Sequence, residues 1–157
     1  MISPLERCFE TVEPFLSAAN VDVYEDEAFL EMDYGHWNNR PLKDLARLPL
    51  WKTIQKKPST VRFPGGESFT EMQKRALTGL DFYARKRGNT LIVSHGDVIR
   101  VMLATFYGMP LDGFQKIALS PASLSILTTS RGVPAVISAN IPIDLARRSR
   151  TTLGGGK

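Results

Sequence analysis

The chain has 157 residues, of which 43% are hydrophobic and 23% charged, and its formal net charge is +4. That length suits one domain with a sizeable core, and no apolar run is long enough to span a membrane. The single cysteine, Cys8, excludes an internal disulfide and suits a reducing cytoplasm, and no Cys/His cluster suggests zinc.

The excess positive charge lies at the C-terminal end. Residues 147–157 contain four basic residues and no acidic residue; the basic ones are Arg147, Arg148, Arg150 and Lys157. Residues 1–146 contain 16 basic and 16 acidic residues and are therefore formally neutral. We therefore predict one domain over 1–146 and a basic, Gly-rich, disordered tail over 147–157. A charge confined to a tail argues against a nucleic-acid partner, although a weak electrostatic role for the tail stays open.

The first predicted element is a helix over residues 4–19. Ser3 can serve as its N-cap and Glu6 can complete a capping box. Because this start follows the N-terminus directly, we predict no signal peptide and a cytoplasmic location. Arg7 lies in the first turn, where a cation opposes the helix dipole. Either an anion such as phosphate binds Arg7, or Arg7 is solvated or pairs with a neighbouring glutamate.

A short strand is predicted near residues 21–24, followed by a loop over 28–37 that holds Glu31 among aromatic side chains. Aromatic neighbours can raise the pKa of a carboxyl group towards the range of a general acid. The alternative is a surface glutamate beside packing aromatics. Short helices are then expected over 41–47 and 50–56.

Residues 57–67 form a predicted Pro/Gly loop that could close over a site. A longer helix over 69–87 follows, with Ser68 and Glu71 as its capping box and Gly88 as its stop.

The stretch from Leu91 to Arg100 is the most informative in the chain. Its apolar start predicts a strand over 90–94 that is buried on both faces, and a helix follows at once with Asp97 as a possible cap. His95 would then lie at the carboxyl end of a strand and beside a helix N-terminus, where open α/β sheets bind anionic ligands. The alternative is a structural histidine. A helix over 98–107 and strands over 123–128 and 133–138, joined by a Ser-Arg-Gly turn, complete the chain.

The order of four segments resembles the histidine phosphatase superfamily, which includes cofactor-dependent phosphoglycerate mutases. The matching segments are Ser3–Arg7, Leu30–Trp37, Pro64–Ser68 and Val93–Arg100. The resemblance implies an α/β, three-layer phosphoglycerate mutase-like fold with a mostly parallel central sheet.

One departure from the family pattern is large. The family has a nucleophilic histidine in an Arg-His-Gly motif at the end of its first strand, whereas this chain has only His36 and His95, both in other contexts. The resemblance therefore implies a domain that lacks its first strand and helix, through either a shortened gene model or a truncated gene.

The resemblance also implies site residues. Arg7 and His95 would bind phosphate, and His95 and Glu31 would be catalytic, with Glu31 donating a proton to the leaving oxygen. Asp33, Glu67 and Ser68 are weaker candidates for shaping the pocket. We expect packing roles for His36 and Trp37, and no metal or cofactor because arginine and histidine supply the positive charge.

Two functions stay open. The chain is either part of a phosphatase or mutase that acts on a small phosphorylated substrate through phosphohistidine, or a catalytically inactive remnant that at most binds phosphate. A serine hydrolase using Ser68 or Ser94 is disfavoured, because the Gly-x-Ser-x-Gly elbow is absent.

Overall fold

The computed structural model describes residues 1–129 and 134–142. Within them, the α-helices are α1 (Glu6–Ala18), α2 (Leu42–Leu45), α3 (Pro49–Lys56), α4 (Phe69–Ala84) and α5 (Gly96–Phe106). Strands β1 (Ser123–Thr128) and β2 (Ala135–Pro142) follow, and short 3₁₀ turns cover Glu27–Phe29, Gly35–Trp37, Pro58–Thr60 and Leu111–Lys116. No helix in this described part combines the length and apolarity that a bilayer crossing requires. The predicted tail over 147–157 and the Ser-Arg-Gly turn lie outside the described residues.

The core is built on α4 and α5. Val98, Val101 and Leu103 of α5 are fully buried. Phe69 of α4 contacts two other buried rings, with centroid distances of 5.6 Å to Phe63 and 5.3 Å to Phe114. Each such buried side chain contributes about 1.5–3 kcal/mol through the hydrophobic effect. This packing fixes the N-termini of both helices relative to each other.

The expected mostly parallel central sheet is not confirmed. The sheet formed by the described residues is the antiparallel pair of β1 and β2, in which Leu124 lies opposite Ile141. Parallel pairing among residues 1–129 and 134–142 consists of two isolated bridges, which join Ile2 to Glu25 and to Val93. An extended segment over residues 1–3 thus lies between two other short extended segments.

The segment predicted as a buried strand over 90–94 forms an isolated bridge at Val93 and is only partly buried. Leu91 is 42% exposed, and the segment has a backbone neighbour on one side, where Val93 donates to the Met1 carbonyl at 3.0 Å. On the opposite edge, the N–H groups of Ile92 and Ser94 have no hydrogen-bond partner among the described residues. Ile92 packs against the main core cluster and Val93 against the separate cluster of Ile2, Cys8 and Val12. The run therefore contacts buried residues on both faces, and within the described part of the chain its second edge has no neighbouring strand.

The two predicted helix starts have different outcomes. The capping box of α4 is confirmed, since the Ser68 hydroxyl accepts from the Glu71 N–H and the Glu71 carboxylate accepts from the Ser68 N–H. The prediction for α1 is wrong. This helix begins at Glu6 after Leu5, because Ser3 belongs to the extended segment and its N–H donates to the Val93 carbonyl at 2.9 Å.

Helix α5 begins two residues earlier than predicted. His95 occupies its N-cap position, but no side chain there accepts a hydrogen bond from the first turn. The prediction of Asp97 as the cap is therefore wrong. The Asp97 carboxylate lies within the first turn and instead accepts from Arg100 at 3.0 Å.

The Pro/Gly loop is anchored in the core and does not form a detached lid. Its residues Val61 and Phe63 are 1% and 2% exposed. The loop also crosses the Glu31-bearing loop closely, because a Cβ atom on Gly66 would lie 2.3 Å from the Asp33 carbonyl oxygen. Glycine is required at this crossing because any larger residue would separate the two loops.

Arg75 of α4 ties the same loops to the helix. Its guanidinium makes a two-pronged contact with Glu67, at 3.0 Å and 2.6 Å. It also donates to the carbonyl oxygens of Ala28 at 2.9 Å and Glu31 at 3.1 Å. The backbone that presents Glu31 is therefore held by a side chain on a core helix.

The α4 cap predicts a specific loss of stability. Ser68→Ala should lower the free energy of unfolding by about 1 kcal/mol, because it removes the hydroxyl that satisfies a free N–H group in the first turn. Thr78→Ala is the matched control, since that exposed hydroxyl only bonds the Lys74 carbonyl in the same helix. Urea denaturation should show little change for the control. Equal losses in both variants would contradict a capping role.

The Arg75 contacts predict that lysine cannot replace this arginine. Arg75→Lys should lower the free energy of unfolding by about 1–3 kcal/mol, because a single ammonium cannot span a carboxylate and two carbonyls. Arg85→Lys is the matched control. Arg85 pairs with Asp81 at 2.7 Å, but its side chain is 76% exposed, so its replacement should change stability by under about 0.5 kcal/mol. Thermal unfolding of both variants tests the difference.

Candidate functional site

The structure brings together the three predicted site residues from distant parts of the chain. Arg7 Nη2 lies 3.9 Å from Glu31 Oε2. His95 Nδ1 lies 3.7 Å from the same carboxylate oxygen. Glu31 is thus placed between a guanidinium and an imidazole.

Three different elements position these side chains. Arg7 is the second residue of α1, Glu31 follows the 3₁₀ turn over Glu27–Phe29, and His95 precedes α5. The pairing of residues 1–3 with residues 91–93 brings the start of α1 beside the start of α5. The N-termini of two helices therefore point towards one cluster, which favours negative charge.

Arg7 remains accessible to a ligand. Its side chain is 57% exposed, and its acidic neighbour within 4 Å is Glu31, on another element. The alternative pairing with a neighbouring glutamate of α1 is therefore not observed. A planar, mostly exposed guanidinium at this position can still form a fork with phosphate oxygens.

Glu31 is a partly buried carboxylate, with 26% of its side chain exposed. Burial raises its pKa above the usual range, and the nearby Asp97 carboxylate acts in the same direction. The Met32 N–H, which donates at 3.0 Å, opposes the rise, as do Arg7 and Arg75. A carboxyl group with a raised pKa is suited to giving up a proton during a reaction near neutral pH.

His95 is buried, with 6% of its surface exposed. Its Nε2 atom lies 2.8 Å from the Ser3 hydroxyl oxygen and 3.5 Å from the Cys8 sulfur. Burial lowers the pKa of His95 to about 4, with smaller contributions from Arg7 and Arg75. The imidazole is therefore neutral at pH 7 and has one N–H group to donate.

The weaker candidates hold the loops in place. Ser68 caps α4, and Glu67 binds Arg75 and accepts from the Asp33 N–H at 3.0 Å. The Asp33 carboxylate accepts from the Gly35 N–H at 2.9 Å. Packing is confirmed for Trp37, which is 7% exposed and meets Phe63 edge to face at 5.3 Å.

The exposed His36 lies on the 3₁₀ turn over Gly35–Trp37 and does not share the packing of Trp37. Its ring lies over the Pro/Gly loop, where a Cβ atom on Gly65 would be 2.7 Å from His36 Nε2.

Sequence reasoning missed Ser3, Cys8 and Arg75 as parts of this site. The local sequence of Ser3 favours a helix cap, and the helical spacing of Cys8 and Arg75 indicates nothing about their distant partners. An arginine whose side chain must reach a loop more than 40 residues away has no local sequence signature.

The buried imidazole predicts a pH dependence of stability. The unfolded state takes up a proton on His95 near pH 6.5, whereas the folded state does so only near pH 4. The free energy of unfolding should therefore fall by up to about 3 kcal/mol as the pH drops through this window. The raised pKa of Glu31 acts in the opposite sense, since its contribution is present at low pH and is lost as the pH rises.

The comparison of wild type with His95→Gln isolates the histidine, because Glu31 is present in both proteins. Urea denaturation at pH 7 and pH 4 should show a smaller pH-dependent loss for His95→Gln. The same loss in both proteins would mean that His95 is not buried in its neutral form.

Comparisons with known proteins identify the family of this chain. The sequence model of the histidine phosphatase superfamily (branch 1) matches residues 1–142. Phosphoserine phosphatase 1 of Hydrogenobacter thermophilus is 25% identical over 147 residues, which are 91% of this chain and 70% of that protein. A probable phosphoglycerate mutase, GpmB, of Yersinia pestis is 29% identical over 127 residues, which are 78% of this chain and 59% of that protein.

Solved structures show the same fold. YhfR of Bacillus stearothermophilus matches with a TM-score of 0.82 at 26% identity, covering 89% of this chain and 72% of that one. The alpha-ribazole phosphatase of Shigella flexneri matches with a TM-score of 0.75 at 23% identity, covering 91% of this chain and 74% of that one. The chain spans between 35% and 70% of the length of the curated relatives that it matches. With an α/β fold and a family match over most of its length, the chain belongs to the histidine phosphatase superfamily.

Proposed function

We propose that this chain forms the phosphate-binding and proton-donating part of a phosphatase or mutase that acts on a small phosphomonoester. The observation that supports this best is the convergence of Arg7, Glu31 and His95 from three separate elements. Arg7 Nη2 and His95 Nδ1 both lie within 4 Å of Glu31 Oε2. Relatives named as a phosphoserine phosphatase and a phosphoglycerate mutase favour the same substrate chemistry.

Each residue has a distinct role in the proposed reaction. The Arg7 guanidinium and the neutral His95 N–H bind phosphoryl oxygens, where negative charge builds up in the transition state. Glu31 donates its proton to the oxygen of the leaving alcohol, which would otherwise depart as an unstable alkoxide. These groups need neither a metal nor a cofactor.

The attacking nucleophile would come from outside residues 1–157. A phosphohistidine pathway needs an imidazole whose nitrogen lone pair faces the phosphorus atom. His95 Nε2 is already held by Ser3 at 2.8 Å, and the exposed His36 lies against Gly65 of the Pro/Gly loop. We propose that a strand bearing the missing histidine would pair with the open edge of residues 91–94, which would complete a mostly parallel sheet in a domain ending near residue 146.

A phosphate-binding remnant without activity is the second candidate. The same three residues support it, and the absence of an Arg-His-Gly motif from this sequence favours it. The two candidates differ in whether an N-terminally extended chain with that motif turns over substrate. Turnover by the extended chain would support the enzyme, and its absence would support the remnant. In either case we propose a cytoplasmic protein without a nucleic-acid partner.

Phosphate binding tests the part of the proposal that both candidates share. Arg7→Ala should weaken inorganic phosphate binding by about tenfold or more, because a charge-assisted hydrogen bond contributes about 1.5–3 kcal/mol. The exposed Arg47 offers the control Arg47→Ala, which should bind phosphate as wild type does. Isothermal titration calorimetry measures both. Unchanged binding in Arg7→Ala would refute the assigned pocket.

Turnover of p-nitrophenyl phosphate by residues 1–157 tests the assignment of the nucleophile. We expect little or no activity, because the attacking group is missing. Robust turnover that is abolished in His95→Ala would show that His95 is itself the nucleophile.

A further inference from the structure

Ser3 makes a buried contact that the proposed chemistry does not yet use. Its hydroxyl oxygen lies 2.8 Å from His95 Nε2, and the two residues are 1% and 6% exposed. The backbone holds them in register, because the Ser3 N–H donates to the Val93 carbonyl two residues before His95. This contact is therefore built into the pairing of two chain segments and does not depend on a flexible side chain.

We propose that Ser3 is a positioning residue that holds neutral His95 in one tautomer, with Nε2 as the acceptor and the proton on Nδ1. The significance for phosphate rests on the proposed function, whereas the tautomer is a property of the chain alone.

The contacts around Ser3 favour a hydrogen bond in which the Ser3 hydroxyl donates to His95 Nε2. The Ser3 oxygen lies 3.5 Å from the Leu5 N–H, from which it accepts a long bond, so its own proton needs an acceptor. Within the described residues, the acceptors nearby are His95 Nε2 and the sulfur of Cys8. An imidazole nitrogen accepts far better than a thiol sulfur. The Ser3 hydroxyl therefore donates to Nε2, and the ring proton must lie on Nδ1.

The other side of the ring leads to the same assignment. Nδ1 lies 3.7 Å from Glu31 Oε2. If Nδ1 carried only a lone pair, it would face the lone pairs of this oxygen whenever Glu31 is ionised, and two acceptors would repel each other. With the proton on Nδ1, the ring presents a donor towards the carboxylate oxygen.

This tautomer suits a phosphate pocket. A neutral imidazole offers one N–H group, and that group is useful only if it points at the bound anion. With Nε2 occupied by Ser3, the Nδ1–H is directed to the side where Arg7 and Glu31 meet. Ser3 thus converts a buried, uncharged histidine into a hydrogen-bond donor for a phosphoryl oxygen.

Nitrogen NMR of ¹⁵N-histidine-labelled protein measures the tautomer directly, because protonated and unprotonated ring nitrogens resonate far apart. The full chain with His36→Gln leaves His95 as the only histidine signal. We expect a protonated Nδ1 and an unprotonated Nε2 at pH 7. A protonated Nε2 in this protein would overturn the proposal, whatever happens in any variant.

Three substitutions separate positioning from packing. Ser3→Ala should move the proton to Nε2 or give a mixture, Ser3→Thr should restore the Nδ1 form because it keeps the hydroxyl, and Cys8→Ala should leave the tautomer unchanged. An unchanged tautomer in Ser3→Ala would overturn the proposal. If Ser3→Ala does not fold, the Ser3→Thr and Cys8→Ala spectra still decide: loss of the Nδ1 form in either contradicts it.

Phosphate titration keeps this proposal distinguishable from the proposed function. Ser3→Ala should weaken inorganic phosphate binding by about 2–10-fold, the equivalent of one neutral hydrogen bond, and Ser3→Thr should bind as wild type does. If wild-type protein has the Nδ1 tautomer but binds no phosphate, the proposed function fails and the positioning role stands. If phosphate binds but His95 carries its proton on Nε2, the positioning role fails and the proposed function stands.

Discussion

The pairing of residues 1–3 with residues 91–93 is the constraint on which the site depends. It consists of backbone hydrogen bonds between parallel segments, including Ser3 N–H to the Val93 carbonyl and Val93 N–H to the Met1 carbonyl. Helix α1 begins three residues after Ser3, and α5 begins three residues after Val93. Because the two segments are parallel and Ser3 is hydrogen-bonded to Val93, this equal distance along the chain places the two helix starts side by side. Arg7 and His95 become neighbours through this register.

Burial then sets the protonation of the site in two opposite directions. It raises the pKa of Glu31 and lowers that of His95, since a poorly solvated environment disfavours the charged form of either group. The site therefore holds a neutral imidazole and a carboxyl group that accepts a proton more readily than usual. Arg7 is largely exposed and supplies a guanidinium beside these two groups. This division suits a pocket that binds an anion and also supplies a proton.

Arg75 links the site to the core. It lies on α4, whose buried face packs into the main cluster through Phe69, Met72 and Ala76. From there its guanidinium binds Glu67 and the carbonyl oxygens around Glu31, so that the loop bearing the proposed acid is tied to a core helix. A preorganised loop costs less to order when a ligand binds. The family match over residues 1–142 covers all these contacts.

Local patterns were sufficient for much of the secondary structure. The capping box of Ser68 and Glu71 and the helical spacing in α4 depend on residues close in sequence, and this helix begins where it is predicted. The apolar run before His95 is likewise a local signal, and it lies in an extended segment with an isolated bridge at Val93. The candidate residues Arg7, Glu31 and His95 were also found, through their order in a family resemblance and their places at helix starts and in a loop.

Other features required the folded chain, because they join residues that are far apart in sequence. The same serine, proline and glutamate that suggest a helix cap at residues 3–6 are compatible with an extended segment, and the hydrogen bond to Val93 selects the latter. The apolar run at 91–94 indicated burial but not how many neighbours the strand has. The contacts of Ser3 with His95 and of Arg75 with Glu67 arise from tertiary packing, which brings side chains together without any periodic signal in the sequence.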